Sequence, residues 1–276
     1  MSYNLLKGKK GIIFGALNDM SIAWKVAERA FDEGAQFILT NTPASIRMGD
    51  IHQLAKACNS EVISADATNI KDVENLFELA LKKFGKFDFI LHSIGMSPNV
   101  RKGIPYDNIN YENYLKTIDI SALSFHKILQ TARQKDALNN WASVIALTYV
   151  AAQRSLFGYN DMADAKAALE SIARSFGYIY GREKQVRINT ISQSPTITTA
   201  GSRISGMPSL MDFTNRMSPL GNATADECAD YVITLFSDLT RKVTMQNLFH
   251  DGGFSSMGMS EEAMIQYDKS FDEHKQ

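Results

Sequence analysis

Seven short apolar runs, rich in β-branched and aromatic residues, punctuate the chain: 10–15, 36–41, 61–65, 87–92, 143–147, 186–191 and 247–251. Runs of this length between turn residues read as strands buried on both faces. The stretches between them have helical spacing. Ile22, Val26, Ala27 and Ala30 share one face over about 21–33, and Val73, Leu76, Phe77, Ala80 and Leu81 share one over 70–84. Strands that alternate with helices cannot close as hairpins, and each crossover returns the chain in the same direction. The expected fold is α/β: a single-domain, Rossmann-like doubly wound parallel sheet of about seven strands flanked by helices. At 276 residues and 45% hydrophobic content, the chain can fill such a core as one domain over 1–276. Further helices are expected over 51–58, 114–135 and 225–237. Residues 99–113 read as an irregular excursion, and the charged tail 260–276 is expected to fray.

Charge narrows the function. Lys and Arg number 29 against 30 Asp and Glu, so the basic excess of a nucleic-acid partner is missing. Cys58 and Cys228 are far apart and form no CxxC, so no metal site is expected. The apolar run after Lys7, Lys9 and Lys10 is too short for a signal peptide, and nothing approaches a membrane span; a cytoplasmic protein is expected.

The first strand runs into a turn in which Gly15 is the only glycine, so the Gly-x-Gly-x-x-Gly fingerprint of dinucleotide folds is missing. By itself Gly15 either caps a strand or lets a ligand approach the backbone. The amides of Ser21 and Ile22, at a helix start, suit a pyrophosphate. The second strand ends in Thr40-Asn41-Thr42, with no carboxylate for a ribose hydroxyl and no immediate arginine for a 2′-phosphate. Tyr159 and Lys166 lie seven residues apart, about two turns of roughly 3.6 residues each, so a helix would place both on one face. Such a pair is either an acid couple, the cation favouring the ionised phenol, or an interface tyrosine beside a solvated lysine. His92, on a strand, reads as a hydrogen-bonded core residue.

A second tyrosine, Tyr149, ends the fifth strand, and the pattern Tyr149-x9-Tyr159-x6-Lys166 resembles the NAD(P)H-dependent enoyl-acyl-carrier-protein reductases of bacterial type II fatty acid synthesis. These are a divergent branch of the short-chain dehydrogenase superfamily, and the resemblance runs from Gly11 to Phe254. Ordinary members of the superfamily place Lys four residues after Tyr and Ser thirteen before it; Ala163 and Ala146 fill those places here. The resemblance implies reduction of a trans-2-enoyl thioester by NADH, with Arg47 keeping NADPH open. Tyr159 would meet charge on the thioester oxygen, Lys166 would hold the cofactor ribose, and Tyr149 would line the acyl pocket. Gly15, Ser21 and Ile22 would face the pyrophosphate, Thr42 the adenosine ribose, and Asp66 and Ala67 the adenine. Ser93, Ile94 and Gly95 would lie against the cofactor. Thr196, Ile197, Thr198, Thr199 and Ala200 would close over nicotinamide and pyrophosphate. Many members have Ala-Gly-Pro-Ile-Arg-Thr in this turn, where Gln193, Ser194, Thr196 and Ile197 stand here.

Ser97, beside Met96, would border the thioester. Residues 196–217 would form a lid, with Met207 and Phe213 offering apolar surface to the acyl chain. The implied partners are an acyl carrier protein bearing an enoyl chain and three further copies of the chain, as a homotetramer. Two alternatives stay open on the residues: a short-chain dehydrogenase acting on a ketone or alcohol, and a non-catalytic dinucleotide-binding sensor.

Overall fold

Residues 2–198 and 207–273 are described in the computed structural model. The strands are β1 (Lys10–Phe14), β2 (Gln36–Thr40), β3 (Glu61–Val62), β4 (Phe87–His92), β5 (Leu138–Thr148), β6 (Arg187–Gln193) and β7 (Asn247–His250). They pair in parallel in the order β3-β2-β1-β4-β5-β6-β7. The helices are α1 (Ile22–Asp32), α2 (Pro43–Met48), α3 (Ile51–Ala57), α4 (Ile70–Phe84), α5 (Pro98–Arg101), α6 (Tyr111–Ile118), α7 (Ser124–Gln134), α8 (Asn160–Lys184), α9 (Met207–Met217), α10 (Ala225–Phe236) and α11 (Glu261–Glu273).

The sheet is buried on both faces because successive strand residues point to opposite sides. Ile12 joins the core under α4, α7 and α8, while Ile13 joins the core under α1, α3 and α10. Chain direction across the sheet reverses between β1 and β4, and ligands of such sheets bind outside the carboxyl ends at that point. Gly15 makes this junction close. Its φ is 100°, and a Cβ there would lie 2.1 Å from the Ser93 carbonyl oxygen. Any side chain would therefore push the turns after β1 and β4 apart.

Several expectations change. The third strand, expected over 61–65, is regular only at Glu61–Val62. Its continuation still bonds to β2's side through Ile63 N to Leu39 O and Ala65 N to Asn41 O. Helix α2 was not foreseen; Thr42 caps it by accepting from Ser45 N, with Pro43 in its first turn. The excursion 99–113 contains α5, a 3-10 turn at Tyr106–Asn108 and the start of α6. The long helix over 114–135 is α6 and α7 joined by a π-helical turn, Asp119–Leu123. The tail, expected to fray, is helical over Glu261–Glu273 and starts where Ser260 Oγ accepts from Ala263 N and donates to Arg216 O at the end of α9. Met264, Tyr267 and Phe271 carried that helical spacing in the sequence. No helix among the described residues is long and apolar enough to cross a membrane.

Candidate active site

One cleft opens at the carboxyl ends of β1, β4, β5 and β6. Its walls include Gly15, Ile22, Gly95, Tyr149, Tyr159 and Lys166. Ser21, Ser93, Ile94, Ser97, Thr196, Thr198 and Met207 complete much of the rest.

Tyr149 continues from the end of β5 and is buried; Tyr159 is the N-cap of α8. Their rings pack at 4.9 Å between centroids, tilted by 49°. Burial pushes both phenols well above the usual tyrosine range. Both therefore remain neutral donors at physiological pH. The buried Tyr149 hydroxyl has no hydrogen-bond partner among the described residues. An unsatisfied donor of this kind carries a desolvation cost that a ligand oxygen would relieve.

Lys166 lies on α8, buried, and donates from Nζ to Leu147 O at 2.8 Å and to Ile94 O at 3.4 Å. Burial lowers its pKa to about 8, against the opposing pull of Glu170. Glu170 is itself fixed by Thr148 Oγ1 and Gln153 Nε2. The expected couple, in which Lys166 lowers the Tyr159 pKa, is not the arrangement found. Tyr159 precedes the helix rather than lying within it, and the ammonium is tied to the backbone ends of β4 and β5. An ammonium has three donors, so one is left for a ligand.

The turn after β4 is held from behind. Ser121, in the π-helical turn, accepts from Met96 N and donates to Met96 O. A π bulge shifts side chains out of α register and recurs at functional sites. His92 is a core residue: buried, bonded to Ser124 Oγ, against Phe125, and lowered to about 3 by burial.

The remaining expected residues divide. Gly15, Ser93, Ile94 and Gly95 form the floor, and a Cβ on Gly95 would sit 3.3 Å from Lys166 Nζ. Ser21 lines the cleft, but its amide donates to Asn18 O and its hydroxyl is shared between Asn18 O and Leu17 N. Among the described residues the Ile22 and Ala23 amides at the start of α1 have no backbone acceptor, as expected in the first turn of a helix, and of the two residues Ile22 lines the cleft. Thr42, Asp66 and Ala67 lie at the ends of β2 and β3, outside the cleft walls. Thr42 is occupied as a cap, and the Asp66 carboxylate accepts from Thr68 N and Oγ1. Thr196 and Thr198 line the cleft, while Ile197 is exposed and outside its walls. Thr199 and Ala200 lie outside the described residues, as do 201–206 of the expected lid.

Gln193, divergent from the resembling family, donates to Thr196 Oγ1 and Ala223 O and pairs with His250 Nδ1 at 2.7 Å, so it fastens the turn after β6. Ser97 borders the cleft, but its hydroxyl is turned inward to Asp161. Met207 lines the cleft; Phe213 does not, standing half-exposed beside Phe254. Six helical residues rotate Phe213 by about 240° from Met207, whereas Leu210, three residues on, stays on the lining face. Leu210 was among the apolar residues expected to face the acyl chain, whereas Met162, three residues after Tyr159, was not singled out; helical spacing from Tyr159 was the available signal.

A glycine floor without Cβ atoms, an open helix-start amide, a buried ammonium with a donor to spare and an unpartnered phenol fit a nicotinamide dinucleotide beside an acceptor oxygen. Among the described residues no group of three His, Cys, Asp or Glu side chains is placed to hold a metal ion.

Residues 15–255 match the family described as enoyl-(acyl carrier protein) reductase. An NADH enoyl-[acyl-carrier-protein] reductase FabI of Rickettsia conorii is 34% identical over 262 residues, 94% of this chain and 98% of its own. A FabI from Alistipes finegoldii, solved as a complex with NADH, has 70% identity and a TM-score of 0.94 over 96% of this chain and 94% of its own. The Bacillus cereus enoyl-acyl carrier protein reductase, solved with NADP+ and an indole naphthyridinone, has 28% identity and a TM-score of 0.87 over 94% of this chain and 100% of its own.

Proposed function

We propose a division of labour for a chain that belongs to the enoyl-(acyl carrier protein) reductase family and that reduces the double bond of enoyl-acyl-carrier-protein thioesters with NADH in fatty acid synthesis. Tyr159, with Tyr149 beside it, receives the thioester oxygen; Lys166 holds the cofactor ribose; the Gly15, Ile22 and Gly95 backbone receives the rest of the cofactor on the cleft floor. When bound, NADH would supply a hydride to the β-carbon, leaving NAD+, and the α-carbon would take its proton from water. Negative charge then gathers on the thioester oxygen, and a neutral phenol aimed at that oxygen stabilises it where it develops. The Tyr149–Tyr159 pair, one hydroxyl buried and unpartnered, is the observation that carries this reading. Thr42, Asp66 and Ala67 extend the site towards adenosine, and Thr196 and Thr198 lie at the nicotinamide end. The wild-type enzyme should give a higher kcat/KM with NADH than with NADPH, because Thr40-Asn41-Thr42 offers no paired cations to a 2′-phosphate. A clear preference for NADPH would shift the discriminating role to Arg47.

The lysine gives the reaction a pH dependence. Only the protonated ammonium serves the ribose, and its pKa in the folded protein is about 8. The kcat/KM for NADH, which reports the free enzyme, should fall as pH rises through about 8. Lys166→Arg should remove that alkaline limb, even at a lower absolute rate; an unchanged limb would assign it to another group. The lowered pKa makes this group's contribution to folding more favourable as pH rises from about 8 to 10.5, so Lys166 does not cause unfolding in that window.

Helix α9 acts as a lid and places Met207 and Leu210 on the cleft side. Hydrogen exchange over α9 should slow once cofactor and a substrate analogue are bound; equal strong protection with and without them would make it a fixed wall. The setting is the cytoplasm, and the working assembly a homotetramer to which acyl carrier protein delivers substrate. Tyr111 and Leu115, one turn apart on α6, and Tyr178 on α8 expose apolar surface that suits contacts between copies. Sedimentation as a stable monomer at micromolar concentration would reject the assembly.

A further inference from the structure

Asp161 occupies the first turn of α8, two residues after Tyr159, and is fully buried. Its Oδ1 accepts from Ser97 Oγ at 2.6 Å. Its Oδ2 accepts from Asn99 Nδ2 at 2.9 Å and from Thr117 Oγ1 at 2.8 Å. All three donors are neutral and buried, and no Lys or Arg among the described residues forms an ion pair with this carboxylate. A buried carboxylate without a cation is costly unless its hydrogen bonds are well made. Here the positive end of α8 and three donors make it tolerable.

The network is directional. Ser97 spends its proton on Asp161 while accepting from Val100 N, which starts α5. The Asn99 amide cannot turn over, because Nδ2 also donates to Asn110 O and Oδ1 accepts from Asn113 Nδ2. Thr117 has one proton to share between Asp161 and Asn113 O. One carboxylate thus joins the segment after β4, helix α6 and the start of α8, which share no backbone–backbone hydrogen bond with one another among the described residues. Ser97, Val100 and Arg101 line the cleft, as do Tyr159 and Met162 on either side of Asp161, so the carboxylate ties two lining segments together.

We propose that Asp161 is a positioning residue that fixes Tyr159 against the Ser97–Arg101 wall and so sets the place of the thioester between them. This rests on the reading that the thioester binds against Tyr159. An apolar or amide residue of similar size would fill the space, but only an acceptor on both oxygens satisfies the three donors as they point. In Asp161→Asn an amide nitrogen placed towards Asn99 sets two locked donors against each other, and one placed towards Ser97 makes that hydroxyl turn from donor to acceptor, so either way the charge-assisted bonds are lost. The expected result is displacement of the Tyr159 wall with the cofactor floor intact. Misplacement of about 1 Å can cost on the order of a hundredfold in rate.

The experiment compares the wild-type enzyme with Asp161→Asn, Thr117→Val and the double variant. Each is measured for steady-state reduction of crotonyl thioester and for NADH affinity by fluorescence titration. Thr117 lies outside the cleft walls, and its hydroxyl meets the start of α8 at Asp161. Asp161→Asn should lower kcat by about tenfold or more and Thr117→Val by about threefold, with NADH affinity held within about twofold in both. The double variant should be no worse than Asp161→Asn. Wild-type kcat in both single variants, or NADH affinity falling in step with kcat, would overturn the proposal. Thr117→Val decides alone if Asp161→Asn does not fold. A wild-type enzyme that binds NADH yet leaves crotonyl thioester unreduced would reject the functional reading and this proposal with it; an active wild type with indifferent variants would reject the positioning role only.

Discussion

Replacing Tyr159 with Phe should lower kcat for an enoyl thioester by about a hundredfold, a loss of about 2.7 kcal/mol of transition-state stabilisation. The change removes one oxygen and keeps the ring, so the packing against Tyr149 at 4.9 Å survives. The phenol is held neutral by burial, which makes it a donor and not a base. Its bond to the thioester oxygen strengthens as negative charge arrives there, so the loss should fall on kcat and kcat/KM alike. NADH affinity should stay near wild type, because the floor is built from the turns after β1 and β4. A Phe variant that raises KM at constant kcat would show that Tyr159 binds the substrate uniformly and does not stabilise the charged state.

Lys166→Ala should act on both measurements. It should weaken NADH binding by roughly ten- to a hundredfold, the effect of losing hydrogen bonds from a charged donor, and it should also lower kcat. It would also leave Leu147 O and Ile94 O without the ammonium that they share. Those two carbonyls end β5 and start the turn after β4, so the alanine variant should loosen the floor where Gly95 closes on the lysine. Restoring affinity with Lys166→Arg while kcat stays low would separate charge from placement. Unchanged NADH affinity in Lys166→Ala would remove the lysine from the cofactor site.

The sheet was legible in the sequence because a doubly wound fold buries its strands on both sides, and such strands read as continuous apolar runs. The weakest strand, β3, has only two regular residues and was drawn too long, since Ile63 and Ala65 are apolar yet lie past the regular ladder. Gly15, Tyr149, Tyr159 and Lys166, singled out by residue type, meet in one cleft. The site was not legible where it depends on direction. Phe213 is apolar and in the right segment but on the wrong side of α9, and Ser97 is at the cleft but turns its hydroxyl away from it. Asp161 was not singled out in the sequence, because its bonds come from Asn99 and Thr117, which lie 62 and 44 positions away in the chain. The tail read as charged, and the helical spacing of Met264, Tyr267 and Phe271 within α11 was not read from it.

The central claim is that this cleft reduces an activated double bond and not a ketone, since Ala146 and Ala163 stand where a ketone-reducing site needs Ser and Lys. Initial rates of NADH oxidation with crotonyl thioester and with a β-ketoacyl thioester, measured side by side on the wild-type enzyme, test it most directly. Rapid oxidation with the crotonyl substrate and none above background with the β-ketoacyl one is the expected result. Faster oxidation with the β-ketoacyl thioester would contradict it.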